Sequence, residues 1–240
     1  MKKFAKVIAC FMLVVLATLG FAGCAKKITL EQATAYIDST SDISGLEKGF
    51  DLSSTPAGRR IIATFDNEGN VTRMYEKDDN YEMWLNSEYM YVKVTNNESV
   101  TKKKMRVDAI PEAYEEYYNK KNNMAGYKAS GTKEQVKEIL SEYVRTCEEQ
   151  NAAYSLKKDK AFKTTKIKFS ATADEETMIV TYEFNFTYKN NKFVGYSFMV
   201  TGKNKTTKEK IKEGTEIKAF SGKISMPKDA ANYEDVSITE

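Results

Sequence analysis

Met178-Ile179-Val180-Thr181-Tyr182-Glu183-Phe184-Asn185-Phe186-Thr187-Tyr188 carries a large apolar or aromatic side chain at every second position. An alternation of period two is typical of a β-strand that buries one of its faces. The alternation resumes in residues 193–201, after the turn sequence Lys189-Asn190-Asn191-Lys192. Because a slip of one residue would exchange the two faces, we expect Phe186 to lie opposite Tyr196 across an odd-length loop. Asn191 is the candidate for the left-handed position of that loop.

Further alternating segments on both sides of this hairpin predict a sheet of several hairpins. The sequence Asp66-Asn67-Glu68-Gly69-Asn70 is a turn signal, in which Gly69 suits a positive φ. A two-residue turn at Ser87-Glu88 would place Trp84 opposite Tyr91. Residues 39–58, rich in Ser, Thr, Gly and Asp, are predicted to be a loop. The other predicted strands are residues 61–65, 71–76, 81–86, 89–95, 162–170, 216–220 and 223–226, with Pro227 ending the last one.

Helical signals occur at three places. Thr29-Leu30-Glu31-Gln32 and Thr132-Lys133-Glu134-Gln135 both have the pattern of a capping box, which predicts a helix start at each. Ile110-Pro111 predicts a short helix that continues through Tyr118. The helix after Thr132 has an apolar stripe ending at Cys147, so we expect this cysteine to be buried. Helices combined with a meandering antiparallel sheet predict the α+β fold class.

The N-terminus has the organisation of a secretory signal. Three lysines at positions 2, 3 and 6 precede the apolar residues 7–19, a segment too short to span a membrane. The following Leu19-Gly20-Phe21-Ala22-Gly23-Cys24 resembles the lipobox of bacterial lipoproteins, except that Phe21 stands where leucine is commonest. The resemblance implies removal of residues 1–23 and a lipid on Cys24. The alternative is an ordinary signal peptide with a cysteine nearby by chance.

Charge and cysteine content narrow the classes of partner. The chain has 37 basic and 34 acidic residues, and removal of the signal would take away three lysines and no acid. The remaining domain is formally neutral, which gives no reason to expect a nucleic-acid partner or a polybasic membrane patch. Cys10 would leave with the signal and Cys24 would carry lipid. Cys147 would then be the single thiol, so no internal disulfide is expected.

Catalytic patterns are largely missing from the sequence. The chain has no histidine, which excludes Ser-His-Asp triads, Cys-His dyads and His-ligated zinc. A Ser-x-x-Lys pattern occurs at Ser99, Ser130 and Ser155, but its companion motifs are absent, which indicates chance. Acidic residues at 78–79 and 174–176 lack the spacing of a calcium loop and are interpreted as solvated turns. We therefore expect no enzymatic activity, no cofactor and no metal site.

The domain organisation allows two interpretations. The first is a lipidated tether, residues 24–28, followed by a single domain, residues 29–240. The second rests on the two similar capping boxes, each of which opens a helix followed by hairpins. It divides the chain into two helix-plus-meander units, residues 29–108 and 131–227.

The order of elements, from an N-terminal helix through hairpins and middle helices to a closing Pro227-Lys228-Asp229-Ala230 segment, resembles the lipoprotein-carrier superfamily. This resemblance implies a half-barrel, in which a strongly curved antiparallel sheet wraps a few helices around an apolar cavity for acyl chains. It transfers no catalytic residues. The expected function is therefore that of a lipoprotein that binds or carries a lipid or another apolar ligand. The expected pocket wall is Met178, Val180, Tyr182, Phe184, Phe186, Tyr196 and Phe198.

A ligand-free interaction module is the alternative function. In that case the sheet would be solidly packed, and aromatic residues such as Trp84, Tyr89 and Tyr91 would recruit a protein or a wall polymer. Both functions share one expected location, the outer face of the cell membrane, to which the lipid on Cys24 would anchor the protein. The lysine- and asparagine-rich composition favours a Gram-positive host.

Overall fold

The computed structural model describes residues 25–109 and 132–237, which form two α-helices and 13 strands. The signal, Cys24 and the helix expected from Ile110 to Tyr118 lie outside the described residues. The helices are α1 (Leu30–Asp38) and α2 (Lys133–Glu149). The strands are β1 (Lys26–Lys27), β2 (Gly49–Thr55), β3 (Arg60–Phe65), β4 (Val71–Asp78), β5 (Tyr81–Leu85), β6 (Tyr89–Asn96), β7 (Ser99–Arg106), β8 (Tyr154–Ala161), β9 (Thr164–Asp174), β10 (Met178–Lys189), β11 (Lys192–Asn204), β12 (Lys210–Ala219) and β13 (Glu234–Asp235).

All 13 strands belong to one open sheet, in the order β1-β8-β9-β10-β11-β12-β2-β3-β4-β5-β6-β7-β13. Two antiparallel meanders, β2 to β7 and β8 to β12, are joined side by side through the pairing of β12 with β2. The short β13 pairs parallel to β7, so the sheet is mixed rather than purely antiparallel. The prediction of a large, mainly antiparallel sheet with a few helices is thus confirmed.

The β10–β11 hairpin has the expected pairing but a different loop. Phe186 lies opposite Tyr196, as predicted. The loop, however, has only two residues, Asn190 and Asn191, both left-handed with φ of 50° and 58°. The faces still match because Val194 forms a β-bulge, an extra residue that restores the register between the turn and the rest of the strands.

Several other local predictions are confirmed. Gly69 has a φ of 90°, and Trp84 pairs with Tyr91 across β5 and β6. Thr29 forms a complete capping box with Gln32. At α2 only half of the box is present: the Thr132 hydroxyl accepts the Gln135 backbone N–H at 3.3 Å.

Five of the observed strands were not predicted, two of them the two-residue strands β1 and β13, and one predicted strand is wrong. β2 lies within the expected loop 39–58, and the Lys-rich β7 and β8 show little apolar alternation. Residues 223–226 form no strand; instead, they start a segment that crosses the face of the sheet opposite the helices. There the Ile224 carbonyl oxygen accepts a hydrogen bond from Arg73 Nη1 at 2.8 Å.

The apolar core lies on one face of the sheet, where α2 packs its buried stripe. Paired residues on this face continue from strand to strand, as in the row Phe186, Tyr196, Ile217, Leu52, Ile61, Glu76 and Met83. Glu76 is the exception in this apolar row, since its carboxylate is 5 % exposed and accepts hydrogen bonds from Arg59. The continuous row means that both meanders contribute to a single core.

Candidate functional site

A cavity of about 650 Å³ lies between α2 and the centre of the sheet. A volume of this size is within the range of about 300 to 1,000 Å³ that small-molecule pockets occupy. Its described lining comprises Gln135, Glu138, Ile139, Glu142, Tyr143, Phe184, Phe186, Tyr196, Phe198 and Thr215. The cavity is therefore formed by one face of α2 and by the neighbouring strands β10, β11 and β12.

Aromatic rings from the sheet form one wall of this cavity. The Phe184 ring stacks on the Phe198 ring of the next strand, with 4.5 Å between centroids. Tyr143, from α2, approaches the same Phe184 ring to 4.3 Å. These contacts tie the helix to the sheet at one side of the cavity. Burial raises the pKa of the Tyr143 hydroxyl, and Tyr182 adds to this shift.

The expected pocket wall is divided by the structure into two parts. Phe184, Phe186, Tyr196 and Phe198 line the cavity. Met178, Val180 and Tyr182 occupy the same face of β10, farther along the strand, and are half-buried outside the cavity lining. The division follows from the position of α2, which lies over the Phe184 end of the strand.

The helical side of the cavity was not assigned from the sequence. Ile139 and Tyr143 belong to the predicted apolar stripe of α2, and their spacing of four residues places them one above the other on the helix. Both line the cavity rather than the closed core. Thr215 of β12 had no sequence signal, since it is one threonine within a lysine- and glutamate-rich strand.

The charged side chains that line the cavity, within the described part of the chain, are both acidic. They are Glu138 and Glu142, one turn apart on α2. Glu142 forms an ion pair with Arg145 at 2.7 Å, which offsets its charge. Glu138 is exposed at the edge of the cavity. The cavity therefore combines an aromatic interior with a mouth that carries negative charge.

The aromatic residues that would recruit a partner in the interaction-module hypothesis already contact other residues of the protein. Trp84 is half-buried and contacts Tyr75 with a centroid distance of 5.4 Å. Tyr91 contacts Tyr233 of the C-terminal segment edge to face, also at 5.4 Å. The C-terminal segment thus covers part of this aromatic row. Tyr89 lines a second cavity of about 420 Å³ together with Arg106 and Asp108.

Cys147 lies on the buried face of α2 with 7 % of its surface exposed, as its place in the stripe predicts. Burial raises the pKa of its thiol, and the neighbouring Glu148 contributes to the shift.

We expect Cys147 to react with a thiol reagent at pH 8 about 100-fold more slowly in the folded protein than in urea. Burial lowers both the fraction of the thiol that is ionised and the access of the reagent to the sulfur. Equal rates in the two states, followed by absorbance with a chromogenic disulfide, would contradict this burial.

Within residues 25–109 and 132–237, no helix is both long and apolar enough to cross a membrane. No protein-family model matches the sequence, and no curated protein matches it.

Proposed function

We propose that this protein is a non-catalytic, membrane-anchored lipoprotein of the cell envelope that binds or carries a lipid or another apolar ligand. The observation that carries the proposal is the aromatic cavity of about 650 Å³ between α2 and the sheet. A pocket with a mostly apolar lining and a few polar groups at its mouth is the usual form of a small-molecule site. The likeness in element order to the lipoprotein-carrier superfamily supports the same conclusion.

The proposal includes a half-barrel, in which the open sheet curves strongly around α2, and a lipid on Cys24 as the anchor. Residues 1–23 would be removed during export, and the protein would remain on the outer face of the cell membrane. Since α1 begins at Leu30, only a short tether would separate the lipid from the folded domain. The cavity would then lie near the membrane from which a ligand could be taken.

The acidic mouth favours ligands whose polar end is neutral or positively charged. A carboxylate or phosphate head would approach Glu138 without a described lysine or arginine on the lining to receive it. An ammonium head would instead be attracted by Glu138 and by the faces of the aromatic rings.

The first test compares three probes with the same hydrocarbon chain: dodecylamine, dodecanol and dodecanoate. We expect the full-length protein to bind dodecylamine about fivefold to tenfold more tightly than dodecanoate, with dodecanol between them. Isothermal titration calorimetry below the aggregation concentration of each probe measures the three affinities. If the three probes bind saturably with equal affinity, the proposed role of the negative charge at the mouth is rejected, but the carrier function is not. If none of the probes binds, the carrier function itself is rejected.

A second test fills the cavity. The substitution Thr215→Trp places a large side chain on the cavity wall, and we expect it to weaken dodecylamine binding about tenfold or more. Ile211→Trp is the matched control, because Ile211 lies on the same strand and face, is exposed, and does not line the cavity. The control should change the affinity less than twofold. Equal losses in both variants, with folding verified by circular dichroism, would place the ligand elsewhere.

A further inference from the structure

The chain start and two hairpin turns meet at one end of the sheet. The turn between β8 and β9 contacts the turn between β10 and β11, since the Asn190 backbone N–H donates to the Lys163 carbonyl oxygen at 2.9 Å. β1 runs antiparallel to β8, with Lys26 opposite Lys158. The N-terminal direction of β1 therefore points toward the same end as the β8–β9 turn.

Phe162 is the most prominent apolar side chain at this end. It occupies the β8–β9 turn with a φ of 51°, and 82 % of its surface is exposed. Lys163 Nζ lies 5.5 Å from the centre of its ring. The neighbouring loop is held to the same end, because the Ser41 N–H donates to the Asn191 carbonyl oxygen at 2.8 Å, and Ile43, two residues later, is 53 % exposed.

Four lysines surround these apolar side chains. All four are exposed, and none of them forms an ion pair within the described residues. Two acidic residues near this end are already paired, Asp159 with Lys168 at 2.7 Å and Asp42 with Lys133 at 2.8 Å. We call this surface the basic end, and it consists of Lys160, Phe162, Lys163, Lys189 and Lys192.

The basic end also lies beside the segment expected to carry the lipid. Phe162 lies four positions after Lys158, which pairs with Lys26, and four positions span about 13 Å along a strand. Cys24 is bonded to Ala25, the first described residue, one position before Lys26. A lipid on Cys24 would therefore enter the membrane within reach of the basic end.

We propose that the basic end docks on the surface of an anionic lipid bilayer, with Phe162 inserted at the level of the headgroups. Exposed lysines attract anionic lipids, and an aromatic side chain beside them finds the interface favourable. This surface is separate from the cavity and goes beyond the proposed function, although its nearness to the membrane rests on the proposed lipid on Cys24. It fixes which end of the sheet faces the membrane.

The test uses the full-length protein carrying Trp84→Phe, which removes the single native tryptophan, together with Phe162→Trp as a depth reporter. The protein is reconstituted into phosphatidylcholine vesicles containing phosphatidylglycerol, with brominated acyl chains as quenchers. We expect the tryptophan at position 162 to be quenched by the brominated lipid and shielded from aqueous iodide. A tryptophan introduced by Asn97→Trp, at the opposite end of the sheet, should remain accessible to iodide.

Charge reversal tests whether the basic end itself contacts the bilayer or is only held near it by the lipid anchor. The double substitution Lys163→Glu and Lys192→Glu should reduce the bromolipid quenching at position 162 by at least about half. Lys203→Glu with Lys210→Glu is the matched control, because this exposed pair lies at the other end of the sheet. The proposal fails if position 162 is as accessible to iodide as position 97, or if both charge pairs have the same effect.

Discussion

Replacement of Gly195 by alanine is expected to destabilise the protein by about 3 kcal/mol, because the backbone and its surroundings both exclude a side chain. Gly195 has a φ of 149°, a conformation that residues with a side chain rarely adopt. A Cβ atom there would lie 2.1 Å from the Ile217 carbonyl oxygen of β12. This neighbour is backbone and cannot rotate away, so β11 and β12 would have to separate locally.

The position of Gly195 also connects it to the cavity. It follows the bulged Val194 and precedes Tyr196, which lines the cavity. We therefore expect Gly195→Ala to weaken binding of dodecylamine as well as to lower the urea midpoint. Gly202→Ala is the control on the same strand, since its Cβ would clash only with the terminal methyl group of the Met178 side chain, at 2.5 Å, which can rotate away. The control should cost less than about 1 kcal/mol. Similar urea midpoints for the two variants would contradict the backbone clash.

Replacement of Arg59 by methionine is expected to destabilise the protein by about 2 to 3 kcal/mol at pH 7. Arg59 donates hydrogen bonds from Nε and Nη2 to Glu76 Oε1, at 3.1 and 2.8 Å. Without these donors the Glu76 carboxylate would lie without its hydrogen-bond partner in an apolar row, between Ile61 and Met83. Since 44 % of the Arg59 side chain is exposed, water can replace part of the lost interaction, which keeps the cost below that of a fully buried pair.

A double-mutant cycle isolates this pair from the other contacts of Arg59. When Glu76→Met is combined with Arg59→Met, the buried charge disappears together with its partner. The double variant should then recover to within about 1 kcal/mol of the original protein, as found when apolar side chains replace buried ion pairs. Urea unfolding of all four proteins measures the cycle. If the double variant is no more stable than Arg59→Met alone, the loss does not come from the unpaired carboxylate.

The sequence predicted the elements whose pattern was local and strong. β10 was predicted from its alternation, and the two caps at Thr29 and Thr132 were predicted from residues within one turn of the helix starts. The pairing of Phe186 with Tyr196 followed from the requirement that apolar faces coincide. The loop length did not follow, because a bulge at Val194 satisfies the same requirement as an odd-length loop.

The missed strands have a different physical origin. β2 has few alternating apolar residues beyond Phe50 and Leu52, and it is stabilised by pairing with β12 and β3. Long-range pairing of this kind leaves little trace in a local pattern. The aromatic face of the site could be predicted for the same reason that β10 could. The cavity could not, because an apolar stripe has the same sequence whether α2 fills the space above it or leaves part of it open.

The side-by-side joining of the two meanders also sets the order in which this chain can fold. β2 lies in the first quarter of the chain and its partner β12 near the C-terminal end. The two strands can therefore pair only when almost the whole polypeptide is present. Pairing across such a separation is slow, because a long loop must be closed before any contact forms. A folding chain would therefore expose the edge of β2 to solvent until β12 pairs with it, and this interval is when aggregation and proteolysis are expected to be greatest.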